Sequence, residues 1–335
     1  MNQKAKKLAG LSVVSAVALF VLGAANSAQA DPSGTPQYRP LAGVGSDTTT
    51  PVMNGLSNDI TIGGSKVIGS YDATGSATIA TQAAAACQSI ARPNGSGAGR
   101  TALLQSLAAN NGCLQFSRSS SLNLAATGGA QLTYVPFALD GVTYAITGND
   151  VTIPRNLDLA TLQSIYTCNP AVVGSAPNFA ITAMLPQAGS GTRSFWEGKM
   201  GITDADVVAG KYPCITDKSN GQPIEEQDGR VLTDTSLIPF SIASYDAEES
   251  QAIQDVRGQA VLGAIAGVAA QQINSAFPVT REVYNVIPTT DTATAPWSTT
   301  FVGGSSLVCA DTATITKFGF TVAPDCGSTT NVTAP

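Results

Sequence analysis

The stretch LPQAGSGTRSFWEGKMGI, residues 185–202, places two glycines, a serine, a threonine and an arginine directly before an apolar run with helical spacing. Serine and threonine are preferred helix N-caps, so Gly189-Ser190-Gly191-Thr192 could simply start a helix. A helix N-terminus also presents unpaired N–H groups and the positive end of the helix dipole, which together suit a negatively charged ligand. Taken alone, the stretch leaves both interpretations open.

Short apolar runs alternate with helix-like segments along the chain, a pattern typical of an α/β protein. Two long extended runs, 132–146 and 236–242, flank a block with its own helices and its own cysteine pair. The sequence therefore predicts a two-lobed fold in which the second lobe is inserted into the first and two extended crossings form the hinge. We expect lobe I to span 31–138 plus 240–335, and lobe II to span 139–239.

Other segments carry predictions of their own. We expect helices over 79–87 and 101–109, a helix over 252–276 that returns to lobe I, and strands closed by a disulfide over 301–326. The glycine-rich segment 95–101 is predicted to be a mobile surface loop, with the rim of a cleft as the alternative. Glu225 and Glu226 are predicted to lie on a solvated face.

Hydroxyl-rich turns follow predicted strands at four places. Besides the stretch above, they are Gly45-Ser46-Asp47-Thr48, Thr74-Gly75-Ser76-Ala77-Thr78 and Ser117-Arg118-Ser119-Ser120. Such turns supply N–H and O–H donors of the kind that surround bound anions. Their recurrence favours convergence on one cleft, with three turns from lobe I and one from lobe II.

The order of these turns resembles that in the phosphate-binding proteins of phosphate ABC transporters, a branch of the two-lobed periplasmic binding proteins with a type II-like fold. The first turn is similar to that family's G-A-G-A-T-F-P-A-P, and Gly189-Ser-Gly-Thr192 matches its G-S-G-T. Tyr71-Asp-Ala-Thr-Gly-Ser76 resembles its Y-Q-x-I-G-S. Phe116-Ser-Arg-Ser-Ser120 stands where the family has F-G-A-S-D. The order holds over most of the chain after residue 30.

The resemblance implies a set of ligand-binding residues. Ser76, Ser190, Gly191 and Thr192 fall on anion-contacting positions, while Asp47 and Thr48 fall on the first binding turn. Pro186 stands where the family has an arginine, and Ser120 where it has an aspartate. Arg118 or Arg193 could restore the positive charge, and Asp47 the acceptor; Arg118 could equally form an interlobe salt bridge. The full candidate set is Asp47, Thr48, Ser76, Arg118, Ser119, Ser120, Ser190, Gly191, Thr192 and Arg193.

Residues 1–30 have the pattern of a secretory signal peptide. Lysines 4, 6 and 7 precede an uncharged run over 8–22, and Ala28-Gln29-Ala30 supplies a small-x-small cleavage site. No cysteine stands at that site, and no later apolar run is long enough for a transmembrane anchor. We expect export to the periplasm, the medium or the cell wall.

All six cysteines follow the predicted cleavage site, which favours disulfides in an oxidising compartment. We favour the sequential pairing, because it closes the shortest loops: Cys87 with Cys113, Cys168 with Cys214, and Cys309 with Cys326. Other pairings remain possible on the sequence alone. The cysteine spacing, together with the lack of histidine, does not suit a zinc site.

The sequence contains no histidine and has a formal net charge of −6. Catalysis of the Ser-His-Asp or Cys-His type is therefore excluded, and a nucleic-acid partner is not expected. We expect a monomeric, non-enzymatic protein without a cofactor.

Our first hypothesis is a secreted solute-binding protein that encloses a small anion, phosphate above all, for uptake through an ABC permease. The alternatives are an extracellular or wall-associated interaction protein that keeps the fold without transport and, third, a secreted phosphoester hydrolase.

Overall fold

The computed structural model describes residues 31–32, 34, 37–270, 273 and 277–335. The predicted signal peptide lies outside the described residues. The strands are β1 (Leu41–Gly45), β2 (Thr61–Ile62), β3 (Ser65–Lys66), β4 (Ile68–Ser70), β5 (Thr78–Ile79), β6 (Ile90–Ala91), β7 (Phe116–Ser119), β8 (Leu132–Thr147), β9 (Asn156–Leu157), β10 (Gly174–Ser175), β11 (Asn178–Phe179), β12 (Thr182–Met184), β13 (Ile215–Thr216), β14 (Lys218–Ser219), β15 (Gln222–Pro223), β16 (Ser236–Ser241), β17 (Ala260–Leu262), β18 (Ala264–Ile265), β19 (Thr280–Pro288) and β20 (Thr321–Val322).

The α-helices are α1 (Thr50–Asp59), α2 (Ser96–Ala108), α3 (Leu159–Tyr166), α4 (Pro170–Val173), α5 (Gly191–Met200), α6 (Asp204–Val208), α7 (Ile242–Glu249), α8 (Trp297–Phe301), α9 (Leu307–Ala310) and α10 (Thr312–Lys317). Short 3₁₀ turns cover Ala85–Cys87, Gly229–Val231 and Thr289–Asp291. Within the described chain, no helix combines the length and the apolar character that a bilayer crossing requires.

A ten-stranded sheet runs through the described part of the molecule in the order β13-β12-β16-β8-β19-β7-β1-β4, with β17 and β20 also pairing with β8. The strands at each end are parallel, whereas β16, β8, β19 and β7 pair antiparallel. The first part of β8 pairs with β19, and its last part pairs with β16 and β17. The strand β8 therefore connects the two halves of the sheet.

The apolar core is divided in the same way. One large cluster draws on residues 142–279 and includes Tyr144, Tyr166 and Trp196. Two others draw on residues 41–138 and on the last part of the chain, with Phe116 and Tyr134 among their members. Separate apolar clusters in the two halves are what an inserted lobe requires, because each lobe must bury its own apolar faces.

The segment 260–279 packs differently from the prediction that placed it in lobe I. The strand β17 pairs with the lobe II part of β8, β18 pairs with β9, and Ile265 and Val279 belong to the lobe II core. We therefore propose that lobe II includes 260–279, and we otherwise keep the predicted bounds. Below, lobe I and lobe II are used in this sense.

Three secondary-structure predictions are wrong. In place of a helix over 79–87 there are β5 and a 3₁₀ turn, because residues 83–86 are exposed and offer no apolar helical face. In place of a helix over 252–276 there are β17 and β18, since Gly258 and Gly267 adopt positive φ angles that interrupt a helix; residues 271, 272 and 274–276 lie outside the described chain. The tail over 301–326 contains the end of α8, then α9, α10 and the two-residue strand β20, where several strands were expected; Ser306 and Asp311 cap α9 and α10.

Three disulfides follow the sequential pairing that the sequence favours: Cys87–Cys113, Cys168–Cys214 and Cys309–Cys326. No free cysteine remains in the described chain. The second bridge lies within lobe II, and the first and third within lobe I. Each bridge therefore stabilises one lobe without restricting movement between the two.

A buried ion pair joins the segments that cross between the lobes. Arg281 of β19 lies opposite Asp140 of β8, and its Nε and Nη2 donate to Asp140 Oδ2 at 3.0 and 2.8 Å. Asp140 Oδ1 accepts from Ser241 Oγ and from the N–H of Ala243, at 3.0 and 3.2 Å. Burial raises the pKa of Asp140, and the charge of Arg281 opposes that shift. The Asp140 carboxylate, both of whose oxygens accept hydrogen bonds, thus lies at the centre of the hinge.

We expect Asp140→Asn to lower the free energy of unfolding by about 3–5 kcal/mol, because it leaves Arg281 buried without its counter-charge. Urea denaturation measures the change. Asp206→Asn, which breaks the exposed pair with Lys211, is the matched control and should cost at most about 1 kcal/mol. Equal effects of the two substitutions would contradict this view of the hinge.

Candidate functional site

Three of the four predicted polar turns meet where the lobes touch. Thr48 Oγ1 of lobe I lies 3.1 Å from Thr192 Oγ1 of lobe II, and both residues are buried. Beside them, Ser46 Oγ donates to Ser120 Oγ at 3.0 Å, and Ser96 Oγ lies 3.4 Å from Ser120 Oγ. We call Ser46, Ser96 and Ser120 the serine cluster.

The lobe I turns meet because their strands are parallel neighbours. Gly45, which ends β1, pairs with Arg118 of β7, so both strands end at the same edge of the sheet. Gly45 has a φ of 129°, and a Cβ atom there would lie 2.5 Å from the carbonyl oxygen of Arg118. Only glycine fits this turn, which turns the chain toward Thr48 and the start of α1.

The start of α5 answers the question that the 185–202 stretch raises. Ser190 Oγ accepts the N–H of Arg193 at 3.0 Å, so Ser190 caps the helix. Thr192, two residues further on, faces Thr48 across the lobe boundary. The stretch is both a helix cap and one wall of the site.

The two lobes approach each other so closely that side chains are excluded at Gly191. A Cβ atom on Gly191 would lie 2.2 Å from Ser96 Oγ and 2.3 Å from Ser120 Oγ. The N–H of Gly97 also donates to the carbonyl oxygen of Gly189 at 3.1 Å. The start of the segment 95–101 therefore lies at the lobe boundary, as the alternative for that segment supposed, and residues 96–101 begin α2 rather than forming a loop.

A carboxylate lies at the centre of the site. Glu226 Oε2 accepts from the N–H of Thr48 at 3.2 Å, from Thr192 Oγ1 at 3.3 Å, and at short range from Thr48 Oγ1. The residue is only 2% exposed, so its predicted place on a solvated face is wrong. Its other oxygen, Oε1, meets no hydrogen-bond partner among the described residues. Glu225 is partly buried and accepts from Asn94 Nδ2 at 2.9 Å.

Arg281 brings the positive charge to this place. Its Nη2 donates to Thr192 Oγ1 at 3.0 Å as well as to Asp140, and its guanidinium lies 5.6 Å from the ring of Phe195. Its Nη1 has no acceptor in the described part of the chain. We call Thr48, Thr192 and Arg281, which lie around the Glu226 carboxylate, the interlobe seat. No local motif in the sequence pointed to Glu226 or Arg281, since each reaches the seat from far along the chain.

Arg118 is neither a ligand clamp nor an interlobe salt bridge. It is fully buried inside lobe I, where it donates to the carbonyl oxygens of Gly43 and Tyr71 at 3.2 and 2.7 Å and to the hydroxyls of Ser70 and Thr50 at 3.1 and 2.8 Å. Burial lowers its pKa to about 10. Arg118 therefore fixes the β1–α1 turn against β4.

Arg193 does not reach the seat either. Its guanidinium pairs within lobe II with Glu197 at 2.9 Å, Asp204 at 2.6 Å and Asp217 at 2.9 Å. It stabilises the first turn of α5 and the loops beside it. Neither Arg118 nor Arg193 therefore brings to the seat the positive charge that was expected to compensate for Pro186.

Ser76 and Ser119 also lie outside the seat. Ser76 is exposed, donates to the carbonyl oxygen of Thr78 at 2.8 Å and accepts from Arg92 at 2.6 Å. Its turn follows β4 at the edge of the sheet, where Arg92 holds it within lobe I. Ser119 Oγ donates to the carbonyl oxygen of Ser121 at 2.6 Å and closes its own turn.

A groove of about 690 Å³ runs along the lobe boundary beside the seat. Glu226 and Asp47 both line it, with α1 on one side and the loop around Gln227 on the other. Asp47 Oδ2 accepts from Gln227 Nε2 at 3.1 Å. Burial, reinforced by the charges of Glu226 and Glu225, raises the pKa of Asp47 to about 8. In the described chain no group of His, Cys, Asp or Glu side chains could hold a metal ion.

No family model and no curated protein matches the sequence. The structure is similar to that of a Clostridium perfringens protein assigned to phosphate ABC transport as a substrate-binding protein and solved with bound phosphate: the TM-score is 0.52 at 15% identity, over 84% of this chain and 99% of that chain. An ABC-type phosphate transport receptor from Vibrio cholerae gives a TM-score of 0.49 at 15% identity, over 84% of this chain and 100% of that chain. The first similarity confirms the predicted fold class, the α/β fold of periplasmic binding proteins.

The raised pKa of Asp47 predicts a pH dependence of stability. Because the folded state holds this proton more tightly than the unfolded chain, stability falls as pH rises from about 4 to about 8. Asp47→Asn should remove that loss. We expect the variant to match the parent near pH 4 and to exceed it at pH 8 by at least about 1.4 kcal/mol, the equivalent of one pKa unit.

Thermal and urea unfolding at both pH values measure the difference. Asp255→Asn is the control, and its effect on stability at pH 8 should have the opposite sign. Hydrogen bonds from Arg257 lower the pKa of Asp255, so this variant should be less stable than the parent at pH 8. An Asp47→Asn variant that shows no advantage at pH 8 would overturn the prediction.

Proposed function

We propose that the protein is an exported solute-binding protein that encloses a small oxyanion, phosphate first, between its two lobes for delivery to an ABC permease. One observation carries the proposal. An N–H and two hydroxyls, drawn from both lobes, converge on a single carboxylate oxygen at the interlobe seat. Donors arranged in this way bind an anionic oxygen.

The chemistry of the seat suits a tetrahedral oxyanion as well as a carboxylate. Hydrogen bonds to an ionised oxygen are shorter and about twice as strong as those between neutral groups. Thr48 stands two residues before α1, which begins at Thr50, and the helix dipole favours negative charge at this end. The unpartnered Nη1 of Arg281 adds a further donor at the same place.

A receptor of this kind closes about the segments that connect its lobes. The strands β8 and β19 and the β16–α7 junction connect the lobes, and Asp140 and Arg281 tie them at the hinge. A solute that bonds Thr48 of one lobe and Thr192 of the other favours the closed arrangement, because only that arrangement offers both sets of donors. The phosphate named for the Clostridium perfringens structure supports phosphate as the first solute to test.

A second candidate function is an extracellular or wall-associated interaction protein that keeps the fold without transport. The observation that favours it is Glu226, whose carboxylate bonds the seat's own donors. Protein released into the medium at levels indifferent to phosphate supply, and without heat on anion addition, would select this candidate.

Isothermal titration calorimetry on anion-stripped protein, with phosphate, arsenate and sulfate, tests the first proposal. Thr192→Val keeps the size of the side chain and removes its hydroxyl. We expect it to weaken phosphate binding by about tenfold or more, since a hydrogen bond to a charged group contributes about 1.5–3 kcal/mol.

Ser76→Ala is the matched control and should leave the affinity unchanged, because Ser76 lies outside the seat. The proposal fails if the parent protein gives no heat with any of the three anions, or if Ser76→Ala weakens binding as much as Thr192→Val.

A further inference from the structure

The carboxylate of Glu226 takes the place that a bound oxyanion would need. Its Oε2 accepts from the Thr48 N–H, the Thr48 hydroxyl and the Thr192 hydroxyl. These are the donors on which the proposed function rests. A solute oxygen could bond them only after Glu226 Oε2 had left.

The charges around the seat do not allow Glu226 and an oxyanion to occupy it at the same time. Arg281 already has Asp140 as its buried counter-ion, at 2.8 Å. Arg118 and Arg193 are engaged within their own lobes and do not approach the seat. An oxyanion beside Glu226 would therefore add a second negative charge at a buried site where Arg281 is already paired with Asp140, which is strongly unfavourable.

The position of Glu226 allows it to leave without unfolding either lobe. The residue lines the groove of about 690 Å³ along the lobe boundary. It follows the short hairpin of β14 and β15 and precedes a 3₁₀ turn, so it is held in neither a long strand nor a helix. Rotation of its side chain into the groove would free all three donors.

Glu226 also holds the lobes together. Two of its three bonds are to Thr48 of lobe I, whereas Glu226 itself and Thr192 belong to lobe II. Its carboxylate therefore makes the same cross-lobe contacts that a bound solute would make. It can favour the closed arrangement by the same mechanism.

The geometry points to Glu226 as an intramolecular ligand that closes the lobes in the absence of solute and that a solute must displace. This inference rests on the proposed function, which it deepens. The apparent affinity for phosphate is reduced by the fraction of molecules in which Glu226 occupies the seat. Glu226 thus sets the solute concentration at which the receptor loads.

Small-angle X-ray scattering and calorimetry with inorganic phosphate test the inference on the parent protein, Glu226→Ala and Glu226→Gln. We expect Glu226→Ala without phosphate to have a larger radius of gyration than the parent and to close on phosphate addition. We expect it to bind phosphate about tenfold or more tightly than the parent. Glu226→Gln keeps the size of the side chain and should change in the same direction by less.

Glu225→Gln is the matched control, because it removes the neighbouring charge while keeping an acceptor for Asn94. It should leave the scattering curve and the affinity unchanged. Thermal unfolding verifies that each variant is folded, and Glu226→Gln serves if Glu226→Ala is not.

The possible outcomes separate the inference from the proposed function. If the Glu226 variants stay as compact as the parent and bind phosphate no more tightly, the inference is overturned, while phosphate binding by the parent would still support the receptor. If Glu226→Ala opens but no variant binds an anion, Glu226 is retained as the closing ligand and the receptor proposal fails.

Discussion

The hydrogen bonds between the Glu226 carboxylate and the two threonines are the interaction on which the rest of the site depends. They join lobe I to lobe II through Thr48 and Thr192, and all three residues are buried. A carboxylate oxygen in such a place is stable only where donors surround it. The protein supplies those donors from a helix start and from hydroxyls, which are groups that also suit a free oxyanion.

The hinge makes this contact possible. Asp140 of β8 bonds Arg281 of β19 and the start of α7, so one buried carboxylate fixes all three connecting segments. Arg281 then extends to Thr192 and links the hinge to the seat. The Arg281 guanidinium therefore bonds both the hinge carboxylate and the site, so a movement of the crossing strands would also move the positive charge at the site.

Much of this arrangement was predictable from sequence, for identifiable reasons. Alternating apolar runs indicated the α/β fold, and G-S-G-T marked the start of α5 correctly, because caps and turns are local properties. Ser76 was misplaced because the direction of its turn depends on the edge position of β4 and on Arg92. Glu226 and Arg281 were missed because contacts between residues distant in sequence bring them to the seat. The strands within 252–276 were missed because the apolar run around 260–270 suggested a buried helix where glycines turn the chain.

A crystal structure of the parent protein with saturating arsenate tests the central claim most directly, since arsenic gives an anomalous signal that locates the anion. Our account predicts one anomalous peak between Thr48 and Thr192, with the Glu226 side chain turned into the groove. A structure in which Glu226 keeps its bonds to both threonines, and no peak lies between the lobes, would contradict it.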